Sequence, residues 1–140
     1  MIQISHLSNS PLLYDYSGFP EQSYHLDYPV PGSPSLAEAV QLQFKKQGIA
    51  AELEQSRGLD HGVFVPLMLM YPETDISCIR VSLQKDLRAL KHLQLGQALG
   101  SLEQEDLLVF GSGSSFHNMQ AFIQGPEIER ADSEYIAFEA

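Results

Sequence analysis

Ser33-Pro34-Ser35-Leu36-Ala37-Glu38-Ala39-Val40-Gln41-Leu42-Gln43-Phe44-Lys45-Lys46-Gln47-Gly48-Ile49-Ala50-Ala51-Glu52-Leu53 is the stretch on which the fold turns. Ser33 followed by Pro34 is an N-cap and N1 pair. The hydroxyl accepts an orphan amide, and proline at N1 loses no helical hydrogen bond. Leu36, Ala39, Val40 and Phe44 recur at helical spacing up to Gly48, a natural residue just past a helix C-terminus. Ile49 to Leu53 then reads as a strand. A helix that feeds directly into a strand is part of the alternating pattern that builds a parallel sheet.

The flanking sequence repeats the alternation. Upstream, Ile2 to Ser5 is a short strand pattern. Downstream, Val63 to Tyr71 reads as a short buried helix ended by Pro72, and Ile76 to Leu83 as the clearest strand. Asp86 to Glu105 predicts a helix with Leu87, Leu90, Leu95, Ala98, Leu99 and Leu102 along one face. Leu107 to Phe110 is a continuous apolar run, as expected of a strand covered on both faces. The fold class expected is α/β, a mostly parallel central sheet flanked by helices, in one domain spanning residues 1–140. The tail from Gly125 is acidic, and its helical pattern stops at Ala140 without a cap, so the domain is expected to be incomplete.

Between Asn9 and Pro34 the chain carries Pro11, Pro20, Pro29, Pro31 and Pro34, which exclude a helix there. The same segment holds Tyr14, Tyr16, Phe19, Tyr24 and Tyr28. A disordered linker would have few aromatics, so this loop is expected to pack.

Composition removes several function classes. The 140 residues are 44% hydrophobic and 19% charged, as in an ordinary globular protein. The formal charge of -10, with scattered lysines and arginines, argues against a nucleic-acid or anionic-membrane partner. No window approaches the roughly 18 apolar residues of a membrane span, and no signal peptide is visible. The one cysteine, Cys78, permits no internal disulfide, which points to a reducing, cytoplasmic setting. It lies in an apolar run and reads as a buried strand residue rather than a nucleophile.

Two histidines stand in loops that end apolar segments, where α/β folds place their chemistry. They are His61 in Gly58-Leu59-Asp60-His61-Gly62, and His117 in Gly111-Ser112-Gly113-Ser114-Ser115-Phe116-His117-Asn118. Asp60 either caps a helix, with His61 filling space, or orients the His61 imidazole. The Gly-Ser run lacks both the phosphate-loop spacing with its lysine and the nucleophile elbow, so it reads as a sharp turn presenting His117 and Asn118. A hydrogen-bonded core histidine is the bland alternative for His117. His92 is expected to face solvent, while His6 and His25 carry no motif. No His-x-x-x-His pair or Cys/His cluster supplies a metal site.

Five blocks in series now acquire a common meaning. They are Tyr14-Asp15-Tyr16-Ser17-Gly18-Phe19-Pro20, Tyr28-Pro29-Val30-Pro31-Gly32-Ser33-Pro34, Gly58 to Gly62 with Pro66, Leu69-Met70-Tyr71-Pro72, and Gly111-Ser112-Gly113 with His117-Asn118. Together they resemble the class III extradiol ring-cleavage dioxygenases, in particular the single-chain DOPA 4,5-dioxygenase-like branch. The resemblance runs from about Leu13 to Gln124. It implies opening of catechol-type rings with O2 at a non-haem Fe(II), or Zn(II) in some members. It implies that His117 is the general acid/base, and that His61 and Asn118 contact the substrate. The family's metal ligands lie in segments that have no counterpart here, so no metal ligand is assigned. Two readings remain open: part of a working dioxygenase, either as a fragment or completed by a partner chain, or an inactive truncated relative that acts, if at all, as an oligomerising (homo-oligomer) or partner-binding protein.

Overall fold

A computed structural model of the protein describes residues 1–113. Chain contacts separate a unit Met1–Phe110 from a second unit, Gly111–Ala140, and every element below belongs to the first. His117, Asn118 and the acidic tail lie outside the described residues.

Strand β1 (Ile2–Ser5) pairs in parallel with β3 (Ala51–Glu54), from Ile2 opposite Ala51 to Ser5 opposite Glu54. Helix α1 (Pro34–Lys46) lies between them in sequence and packs on both. Its ends are built as the sequence predicts. Ser33 Oγ accepts from the Leu36 amide at 3.4 Å, and Gly48 takes a left-handed φ of 72°. Ala37, Val40 and Phe44 form its buried face, so Ala37 rather than the expected Ala39 faces inward. These side chains close over Ile2 and Ile4, and Leu95 and Ala98 of α3 (Ala89–Gly100) complete this core.

A second, smaller core carries the aromatic loop. Strand β2 (Leu12–Leu13) pairs in parallel with β4 (Leu59–Asp60), and helix α2 (His61–Met70) follows β4 without a break. Tyr28, Val30, Leu59 and Phe64 are its buried residues. The Tyr28 hydroxyl donates to the Tyr71 carbonyl (2.7 Å) with the Leu67 carbonyl 3.2 Å away, which binds the loop to the C-terminal end of α2. The expected α/β class with parallel strands is what the chain adopts, with the pairing divided between two two-stranded pieces.

Five segments depart from the sequence reading. The proline-rich loop, expected to hold no helix, makes one short 3-10 turn at Glu21–Tyr24, which starts directly after Pro20 and so needs no amide from a proline. Residues 76–83 form no regular strand, because their backbone is divided between two partners. Cys78 N–H donates to Pro31, while Ser82 N–H donates to Gln3 and Ser5 N–H donates to Arg80. Two further amides are taken by hydroxyls, Gln3 N–H by Ser82 Oγ at 2.9 Å and Arg80 N–H by Ser5 Oγ at 2.7 Å. Helix α3 begins at Ala89 rather than Asp86, since Leu87 sits at φ 47° and cannot lie in a right-handed helix. It ends at Gly100, short of the expected Glu105, and Leu87 and Leu90 are exposed instead of facing the core. Residues 107–110 pair with no strand among the described residues, and Leu108, Val109 and Phe110 are exposed. Helix α2 forms where expected but buries only Phe64 fully, leaving Leu69 exposed.

Among the described residues, no helix is long and apolar enough to cross a membrane. Cys78 is half-buried beside the second core, and burial pushes its thiol up, away from the reactive thiolate.

Candidate functional site

Gly58 sets the position of His61. Its missing side chain lets the chain pass Pro11, where a Cβ would lie 2.4 Å from the carbonyl oxygen. The adjacent Leu59 amide donates to that same oxygen at 2.9 Å, starting the β2–β4 pairing. That pairing brings the end of β2, with Asp15 just beyond it, beside the first residue of α2. His61 Nδ1 lies 2.7 Å from Asp15 Oδ1, and the His61 amide donates to the same oxygen at 3.2 Å.

The partner of His61 is therefore Asp15, and Asp60 makes no side-chain cap on α2. Asp60 Oδ2 accepts instead from Arg57 Nη2 at 3.2 Å. Asp15 also does the capping, since a carboxylate at a helix N-terminus meets unpaired amides and the positive end of the helix dipole. Partial burial pushes the Asp15 carboxyl up. The hydrogen bonds from the His61 ring and amide outweigh it, and the net result lies below the ordinary carboxylate value.

An aromatic cluster walls one side. The Tyr16 ring meets His61 edge-on at 5.9 Å, and Tyr16 also contacts Phe19, Tyr24, Tyr14 and Phe64. The Tyr16 hydroxyl donates to the Ser23 carbonyl, and Tyr14 to that of Leu26, so the loop folds back on itself. The expectation that this loop packs is met.

Among the described residues the other histidines have structural employment. His6 Nε2 donates to Glu38 (2.9 Å), and its Nδ1 accepts from Gln55 (3.1 Å). His92 is half-buried rather than facing solvent as its sequence position suggests. Its Nδ1 donates to the Arg88 carbonyl (2.9 Å), and its Nε2 accepts from the Gln84 amide (3.2 Å). His25 is exposed, with Glu21 3.7 Å away. His61 alone among them has one ring nitrogen anchored and the other without a hydrogen bond to any described residue.

A second polar group lies at the carboxyl ends of β1 and β3. Glu54 accepts from the Ser56 and Arg57 amides and closes a turn, while the largely buried Arg80 lies 3.5 Å away. No three His, Cys, Asp or Glu side chains converge on a metal position among the described residues. The described residues alone therefore do not fit a metal site.

A family model described as the catalytic LigB subunit of aromatic ring-opening dioxygenase matches residues 2–135. A Beta vulgaris protein named 4,5-DOPA dioxygenase extradiol is 46% identical over 106 residues, which are 75% of this chain and 40% of that protein. Dioxygenase tasH of Hapsidospora irregularis is 40% identical over 122 residues, 86% of this chain and 38% of that one. The 4,5-DOPA dioxygenase extradiol of Escherichia coli (strain K12) is 31% identical over 117 residues, 84% of this chain and 43% of its own length. The chain thus spans about two-fifths of the length of these curated relatives.

Proposed function

The chain belongs to the LigB family of aromatic ring-opening dioxygenases, and we propose that it supplies the substrate side of an extradiol opening of a catechol-type ring by O2. The observation that carries this reading is the seat of His61: its ring is fixed by Asp15 and packs against an aromatic cluster. A planar aromatic substrate is held by apolar contact on such a cluster and by few polar groups. In this reading His61 and Asn118 contact the substrate, and His117 moves the proton between the substrate hydroxyl and the reacting centre. The same reading takes residues 1–140, His117 and Asn118 included, as one family domain.

Chemistry of this class uses a non-haem metal, and we assign Fe(II), with Zn(II) as the alternative, to ligands outside the described residues. The segments that hold the metal come from a complementing chain or from a longer protein of which these residues are a part; in the inactive alternative the partner is a second copy. The net charge of -10 speaks against nucleic acid as a partner. The single, half-buried Cys78 fits a cytoplasmic setting.

The test is His117→Ala in a preparation that includes the complementing segment and Fe(II). Ring cleavage, followed by the absorbance of the opened product, is expected to fall by about 10²-fold or more. Turnover near that of the unaltered protein overturns the role of His117. Failure of the complemented, unaltered protein to cleave any catechol favours the inactive relative instead.

A further inference from the structure

The contact between Asp15 and His61 does more than fix a position, and its consequence for binding rests on the proposed substrate-side role of His61. A carboxylate oxygen can only accept, so Nδ1 of His61 must be the nitrogen that carries hydrogen. In the neutral ring that leaves Nε2 with a lone pair and no proton. The same Asp15 oxygen holds the His61 amide, so backbone and ring are fixed together at the first turn of α2. We propose that Asp15 is the positioning residue that makes His61 Nε2 a hydrogen-bond acceptor toward the substrate, so that the site takes a hydroxyl or ammonium donor in preference to a carboxylate.

The charges around the pair agree with that preference. Asp15 and a neutral His61 together carry one negative charge, and protonation of the ring only brings the pair to neutrality. The positive end of α2 is already engaged by Asp15 through the His61 amide. Next along the chain, Asp60 is offset by Arg57 at 3.2 Å. Tyr16 packs perpendicular to the His61 ring and keeps its own hydroxyl on Ser23. Among the described residues an incoming carboxylate therefore meets no uncompensated positive group here, whereas an O–H or N–H meets a pre-oriented lone pair.

The experiment is 15N NMR of the full chain labelled at histidine, with the His61 signals assigned by their loss in His61→Gln. At a pH where the ring is neutral, the shifts are expected to show Nδ1 protonated and Nε2 not. Finding Nε2 protonated in the unaltered chain overturns the proposal without any variant. Asp15→Ala is expected to shift His61 toward the Nε2-protonated form. Asp15→Asn, which keeps an accepting oxygen, is expected to restore the native pattern, as a merely structural role would not require. An unchanged tautomer in folded Asp15→Ala also overturns it.

Two probes then test the donor preference. Catechol, which offers only hydroxyl donors, is expected to move the His61 Nε2 resonance at a concentration at least 10-fold lower than benzoate, which offers only a carboxylate. The reverse order or equal potency defeats the donor preference alone. A response to neither probe, with the native tautomer in place, counts against the proposed function and removes the basis for the donor preference.

Discussion

One oxygen of Asp15 holds both the amide and the ring of His61, and this determines how acid acts on the site. The Asp15 carboxyl titrates below its unfolded value, so its contribution to stability is present above that value and fades as pH falls through the folded one. Asp15→Asn is expected to be less stable than the unaltered chain near neutrality, with the gap closing below about pH 4. Urea denaturation from pH 7 down to 3 reads this directly, and a gap that stays constant with pH rules it out. Gly58 acts on the same pair through space rather than charge. Gly58→Ala places a methyl against the Pro11 carbonyl and is expected to cost about 1–3 kcal/mol. Thermal unfolding measures it, and an unchanged midpoint would show that the β2–β4 contact yields freely. His61 is legible from Gly-Leu-Asp-His-Gly, but Asp15 is not. It lies 46 residues away, and only strand pairing brings it near, whereas Asp60 is the obvious neighbour and is held by Arg57.

At the scale of elements, legibility follows local chemistry. The start and stop of α1 are readable because Ser33, Pro34 and Gly48 each satisfy a requirement of a helix end by themselves. Residues 76–83 have strand composition, but a strand also needs one continuous partner, and composition does not reveal that theirs is split. Residues 107–110 depart for the same reason: an apolar run names no neighbour. In α3 the leucine periodicity hides the positive φ of Leu87, which no pattern of polarity encodes. Gly96 lies inside this helix with nothing within 4 Å of where a Cβ would stand. Gly96→Ala is accordingly expected to stabilise the chain by about 0.5–1 kcal/mol, because glycine loses more freedom on entering a helix. Equilibrium denaturation decides this, and a loss of stability would mean that α3 is not a regular helix at Gly96.

At the scale of the molecule, the outer surface of the described unit is more apolar than its two small cores would lead one to expect. Leu90 and Leu93 lie on one face of α3 at 69% and 64% exposure, and Leu83 and Leu87, just ahead of the helix, are at 66% and 68%. Strand β3 has a partner on only one side among the described residues, so its other edge offers unpaired backbone groups. Large exposed apolar side chains gathered on one helix face and the turn before it favour association. A second copy can cover such side chains, since apolar burial between copies needs no other partner. Sedimentation equilibrium at tens of micromolar is therefore expected to show a dimer or larger species. Leu90→Glu combined with Leu93→Glu should return it to a monomer with its helical circular dichroism intact, because neither side chain reaches the core. The unaltered chain sedimenting as a monomer across that range would show that the leucine face tolerates water. An oligomer that survives the double substitution would move the contact to another surface, with the β3 edge the next to be tested by the charge reversal Glu52→Lys.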